Sequence, residues 1–142
     1  MSEERQRGVD LFNEAWRLME TREDDDRLLH ITHASRYHWG EAEECRPENL
    51  ARGEWQVSRV YSVLGRGEPA LVHARLCLDT CVEHGIGDFD IAYAHEAMAR
   101  AYRVLGDQAE STAHAEEARR ATAGIADPED REHAMEDIAE LL

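Results

Sequence analysis

The chain has 142 residues and a formal charge of −15, from 16 basic and 31 acidic side chains. That length suits one domain with a core that needs neither disulfides nor a structural metal, and it excludes a large multidomain enzyme. The negative excess repels phosphate backbones and anionic lipid, which argues against nucleic-acid and membrane partners, and because every basic residue is Arg there is no Schiff-base or phosphate-loop lysine.

Twenty alanines and apolar residues recurring every three or four places, with almost no alternating stretch, predict an all-α chain of about seven helices. The expected spans are 4–21, 24–40, 48–64, 68–84, 90–105, 108–123 and 128–141. Pro47 and Pro128 suit first helical turns, Asp107 and Asp127 are expected caps, and Gly65, Gly85 and Gly106 are expected left-handed stops. The short connections between them make antiparallel hairpins at about 4–40, 48–84 and 90–123, closed by a capping helix at 128–141, all within one domain spanning 1–142.

The amino terminus, MSEERQRGVD, is polar and leads into no long apolar segment, so the expectation is a cytoplasmic protein with neither secretory signal nor membrane anchor. Cys45, Cys77 and Cys81 are odd in number and form no CxxC pair, which fits a reducing compartment. Cys77 and Cys81, four apart, read as small core residues.

The second helix, EDDDRLLHITHASRYHWG, sets His30, His33 and His38 among Leu28, Leu29, Ile31 and Trp39. On a helical projection Asp26, His30 and His33 fall on one side, enough to begin a zinc or iron site if another helix adds ligands. No HExxH or paired ExxH accompanies them, and structurally hydrogen-bonded imidazoles are the competing reading.

In the third helix Leu50, Val57, Val60, Tyr61 and Leu64 form the expected core stripe, while Trp55 points away from it between Arg52 and Arg59. The fifth helix repeats the layout, with Met98, Ala101, Tyr102 and Leu105 inward and Tyr93, Glu96, Arg100 and Arg103 opposite. Between them, the fourth helix carries a stripe of His73, Cys77, Cys81 and His84 whose ends lie about 16 Å apart, too far for one ion.

An internal repeat supports the pairing of helices. YSVLG at 61–65 and YRVLG at 102–106 are offset by 41, and the offset persists from His73-Ala74 to His114-Ala115 and from Cys77 to Ala118. An earlier copy is expected at His30-Ile31 with Ala34, 43 residues before His73. These stretches resemble the tetratricopeptide repeat family in their tyrosine, their turn glycine and their small second-helix residues: Ala70, Ala74 and Cys77 in one copy, Ser111, Ala115 and Ala118 in the other. The resemblance covers about 50–124; it departs in its longer period, in Ser111, and in lacking a proline at the repeat end. It implies a right-handed superhelix of hairpins whose first helices line a concave face that binds proteins or peptides.

On that arrangement Arg52, Trp55, Arg59, Tyr93, Glu96, Arg100 and Arg103 are the expected partner-binding residues, an Arg and aromatic groove suited to a carboxylate or phosphate, with no cofactor. The competing reading pairs the arginines with neighbouring acids and packs Trp55 near Phe12 and Trp16. Partner charge stays open, because the acidic exterior favours a basic partner and the groove an anionic feature. Self-association is a further alternative. No nucleophile with a recognisable triad spacing is present, so no catalytic residue is expected.

Overall fold

Seven α-helices follow one another in a computed structural model that describes residues 1–142 and contains no strand. They are α1 (Glu3–Thr21), α2 (Asp25–Glu41), α3 (Pro47–Val63), α4 (Gly67–His84), α5 (Asp88–Leu105), α6 (Gln108–Ala121) and α7 (Pro128–Ala139), with a 3-10 turn at Thr122–Gly124 before α7. Every boundary lies within two residues of the expected one, because the ends are written in local chemistry. Asp107 accepts from the Glu110 amide and Asp127 from those of Glu129 and Asp130, while Gly65, Gly85 and Gly106 take φ of 75°, 64° and 80°.

Helices α1 and α2, α3 and α4, and α5 and α6 pack as three hairpins, and α4 against α5 and α2 against α3 join the hairpins into a stack. The first helices also meet directly, α1 with α3 and α3 with α5, whereas the backbones of α2, α4 and α6 stay apart, with His33 of α2 reaching His73 of α4 through its side chain. The stack is therefore closed along its first helices and splayed along its second ones. Helix α7 packs on α5 and α6, as expected of a cap. No helix is long and apolar enough to cross a membrane.

Small residues allow this close approach. Ala70 and Ala74 of α4 and Ala92, Ala94, Ala97, Ala99 and Ala101 of α5 are all buried, as are Cys77 and Cys81. Gly8 lets the Trp39 indole of α2 lie on α1; a Cβ there would stand 2.7 Å from Trp39 Cδ1.

The 41-residue offset is a structural repeat. Tyr61 stacks on His73 at 5.8 Å between ring centres, and Tyr102 stacks on His114 at 5.7 Å. Ser58 Oγ donates to the Ala70 carbonyl at 2.8 Å, and Ser111 Oγ donates to the Ala99 carbonyl at 2.9 Å. Positions 58 and 99 correspond, as do 70 and 111, so the same inter-helix bond is made with donor and acceptor helices exchanged. This bond accounts for Ser111 at the place where the second hairpin has Ala70. The earlier copy falls at His33 and not at His30: His33 meets both Tyr61 and His73, and His30 is exposed. Three residues turn a helix through about 300°, so the two histidines differ by only 60° in direction, and the one nearer α3 packs.

Candidate functional site

The first helices present a ladder of rings. Phe12 and Trp16 sit one turn apart on α1, Trp16 meets Trp55 of α3 at 5.5 Å, and Trp55 meets Tyr93 of α5 edge-on at 5.6 Å. These rings, with Phe89, line an open cleft of about 430 Å³ floored by Ala51 and Cys77 and bounded by His133 and Asp137 of α7. Its volume is that of a small-ligand or side-chain pocket. Trp55 is half-buried, covered on two sides by Trp16 and Tyr93 and open on the cleft.

The arginines expected to face an anion here are already paired. Arg52 donates from Nε and Nη2 to the two carboxylate oxygens of Asp90 at 3.0 Å each, while its guanidinium lies over the Phe89 ring. Arg59 Nη1 donates to Glu96 Oε1 at 3.2 Å, Arg100 Nε bonds the same oxygen, and the Trp55 indole N–H donates to Oε2 at 3.3 Å. Glu96 is thus a correction to the expected groove surface: it has no solvent exposure and sits beneath the cleft as the acceptor for three donors. Its burial is tolerable because both oxygens are satisfied by charged or N–H partners. The cleft itself is consequently apolar and nearly charge-balanced.

Helix α7 completes one wall. Tyr93 donates its hydroxyl to Asp137 Oδ2 at 2.9 Å, and burial together with that bond pushes the phenol well above its ordinary range. Arg100 Nη2 reaches the Asp137 carbonyl at 3.5 Å, and Arg103 Nη1 donates to the Glu140 carbonyl at 2.9 Å. Arg100 and Arg103 therefore tie α5 to the cap and lie outside the aromatic cleft, in an adjoining recess that shares Arg59 with it.

Asp26, His30 and His33 do not converge. All three are exposed, and His33 Nε2 is within 2.9 Å of the Tyr61 hydroxyl. No group of three or more His, Cys, Asp or Glu side chains is placed to hold a metal ion. On the side of the stack away from the cleft, Glu54 receives Arg36 Nε at 3.0 Å and lies 2.7 Å from His73 Nδ1. Burial raises the Glu54 carboxyl, but the His73 hydrogen bond and the charges of His73 and Arg36 outweigh it and leave the group below its ordinary value. At the corresponding place in the next hairpin, His95 takes the position of Glu54, and its Nδ1 lies 3.2 Å from that of His114.

Phe12, Trp16, Phe89, Asp90, His133 and Asp137 are cleft residues that the two-helix projection left out of the groove. A signal for three of them, Phe12, Trp16 and Phe89, is present: aromatic pairs at a spacing of four, Phe12 with Trp16 and Phe89 with Tyr93, mark one face of each helix. Comparison of the chain with protein-family models, curated proteins and solved structures finds no match.

Proposed function

We propose that this chain is a tetratricopeptide-like interaction module whose first-helix cleft receives a large aromatic or branched apolar side chain from a peptide segment of a partner protein. The observation that supports the reading is the convergence of Phe12, Trp16, Trp55, Phe89 and Tyr93, drawn from three separate hairpins, on one open cleft. A stack needing only internal packing gains nothing from holding five rings around an open volume, whereas Trp and Tyr in a partly desolvated pocket are the residue types that dominate binding hot spots. The Arg52–Asp90 and Arg59–Glu96 pairs leave little free charge on the cleft wall, which favours an apolar occupant.

Selection of displayed peptides on the wild-type chain, with Trp16→Ala as the counter-target, tests this. Trp16 is the most open of the ladder rings, at 36% exposure, so its removal leaves the core intact. Peptides enriched in Phe, Trp, Tyr or Leu that lose binding to the variant are expected; selection that yields no consensus, or binders indifferent to Trp16→Ala, contradicts the reading.

A further inference from the structure

Beside the cleft lies a recess of about 280 Å³ with different chemistry. Arg59, Arg100 and Arg103 line it, together with Ser62, and no carboxylate side chain does. The nearest acids are Glu96, sealed beneath, and Glu140, whose carboxylate stands 3.6 Å from Arg100 and is 67% exposed. Arg59 commits only Nη1 within the protein, to Glu96, and Arg103 commits only Nη1, to a backbone carbonyl. The remaining donors of both are free. The Ser62 hydroxyl is buried and has no hydrogen-bond partner. Buried hydroxyls are ordinarily satisfied, and this one, beneath three guanidinium groups, is a spare donor that a rotation of its side chain turns toward a ligand acceptor in the recess.

We propose that this recess binds the phosphoryl group of a phosphoserine or phosphothreonine in an otherwise basic peptide, the same peptide whose apolar side chain enters the cleft. The proposal rests on the peptide reading of the cleft. Two lines of charge and chemistry carry it. The donors on offer exceed what the two oxygens of a carboxylate take, whereas a phosphomonoester brings three acceptor oxygens and nearly two negative charges. The chain as a whole carries −15, so it repels an acidic segment and attracts a basic one; a lone phosphate among arginines or lysines satisfies both the recess and the exterior.

Helix α3 sets the spacing. Trp55 faces the cleft and Ser62 the recess, seven residues and about 10 Å apart along the axis. An extended peptide covers that distance in about three residues. The motif expected is therefore an aromatic or branched apolar residue about three positions from the phosphorylated one, with basic flanks.

Fluorescence anisotropy with a labelled peptide tests this. It carries phenylalanine, two alanines, phosphoserine and flanking arginines, and is compared with its unphosphorylated form and with a form that ends in a free carboxylate in place of the phosphoserine. Wild type is expected to bind the phosphopeptide at least about tenfold tighter than either counterpart. Arg103→Gln is expected to lose about tenfold for the phosphopeptide and less than twofold for the unphosphorylated one. Ser62→Ala, which removes a hydroxyl that bonds nothing in the free protein, is expected to melt no lower than wild type and yet to weaken phosphopeptide binding selectively. Equal affinity for phosphorylated and unphosphorylated peptides, or a preference for the free-carboxylate form, overturns the phosphoryl assignment and leaves the cleft reading standing. Unchanged phosphopeptide affinity in both variants overturns it too. Failure of all three peptides to bind overturns the cleft reading and this inference with it.

Discussion

Trp55 and Glu96 occupy corresponding positions in successive hairpins, 41 residues apart, and the indole N–H of the first donates to the carboxylate of the second at 3.3 Å. The repeat is thus used asymmetrically. The same position supplies a ring to the cleft in one hairpin and the buried acceptor beneath it in the next, and Arg59 and Arg100, also 41 apart, both bond that acceptor. One fully buried carboxylate holds α3 and α5 together, and Arg100 extends the network to α7.

Glu96→Gln should be among the most damaging single changes in the chain. It leaves two guanidinium groups, 26% and 16% exposed, without their common anion. Removing one partner of a buried charge network costs about 3 kcal/mol or more, which for a chain of this size lowers the melting temperature by about 6–12 °C. Thermal denaturation of the purified variant reads this directly, and a loss below about 1 kcal/mol would show that the network is not a structural hub.

The transposed serine bond makes a double substitution informative. Ser111→Ala should cost about 1 kcal/mol, because it removes one buried hydrogen bond and leaves the Ala99 carbonyl its helical partner. Adding Ala99→Ser to that variant recreates in the third hairpin the arrangement that Ser58 and Ala70 make in the second, and should recover most of the loss. Denaturant midpoints of the single and double variants measure it; an additive loss would mean that the two hairpins are not equivalent at these positions.

Acidification should weaken the fold through His33, His95 and His114. Partial desolvation by packed neighbours is the largest influence on each, even at His33, whose outer edge is exposed, and lowers all three below the ordinary 6.5; His73 adds to it at His33, His114 at His95 and Arg75 at His114, while Glu54, Glu110 and Glu117 oppose it. The unfolded chain therefore takes up protons near pH 6.5 before the folded one does. The stability these neutral rings contribute is complete above that pH and is lost as the pH falls through the lower folded values. Melting temperatures between pH 7.5 and 5 should decline, and His95→Gln with His114→Gln should flatten the profile.

Gly8→Ala tests how closely α2 lies on α1. A methyl group at this helical position improves backbone propensity by about 1 kcal/mol but meets the rigid Trp39 ring at 2.7 Å. Net destabilisation of about 1–2 kcal/mol is expected, with the sign reversed in a Trp39→Leu background. Chemical denaturation of the four proteins of this cycle measures the coupling.

Much of this architecture is legible in the chain itself, because helix ends and repeats are local. Pro47, Pro128, Asp107, Asp127 and the three turn glycines each act within one turn, and the Tyr-His pairs of adjacent hairpins carry the register. The site was half legible. Projection placed Trp55, Arg52 and Arg59 on one face of α3, but which acids stand opposite depends on how α5 is rotated and on where α7 lands, neither of which a single helix encodes. Asp90, Asp137 and the sealing of Glu96 follow from that tertiary placement. The histidines of α2 show the same limit: Asp26, His30 and His33 share a side of the helix, yet only His33 finds a partner, because α3 passes beside it alone.

The three tryptophans give the most direct test of the cleft, since Trp16 and Trp55 line it and Trp39 does not. In a nitrogen-15 correlation spectrum each indole N–H gives a separate resonance. Titration with the phenylalanine-containing basic peptide should shift the Trp16 and Trp55 resonances together, with one affinity, and leave that of Trp39 in place. Shifts confined to Trp39, or binding that moves none of the three, would contradict the account.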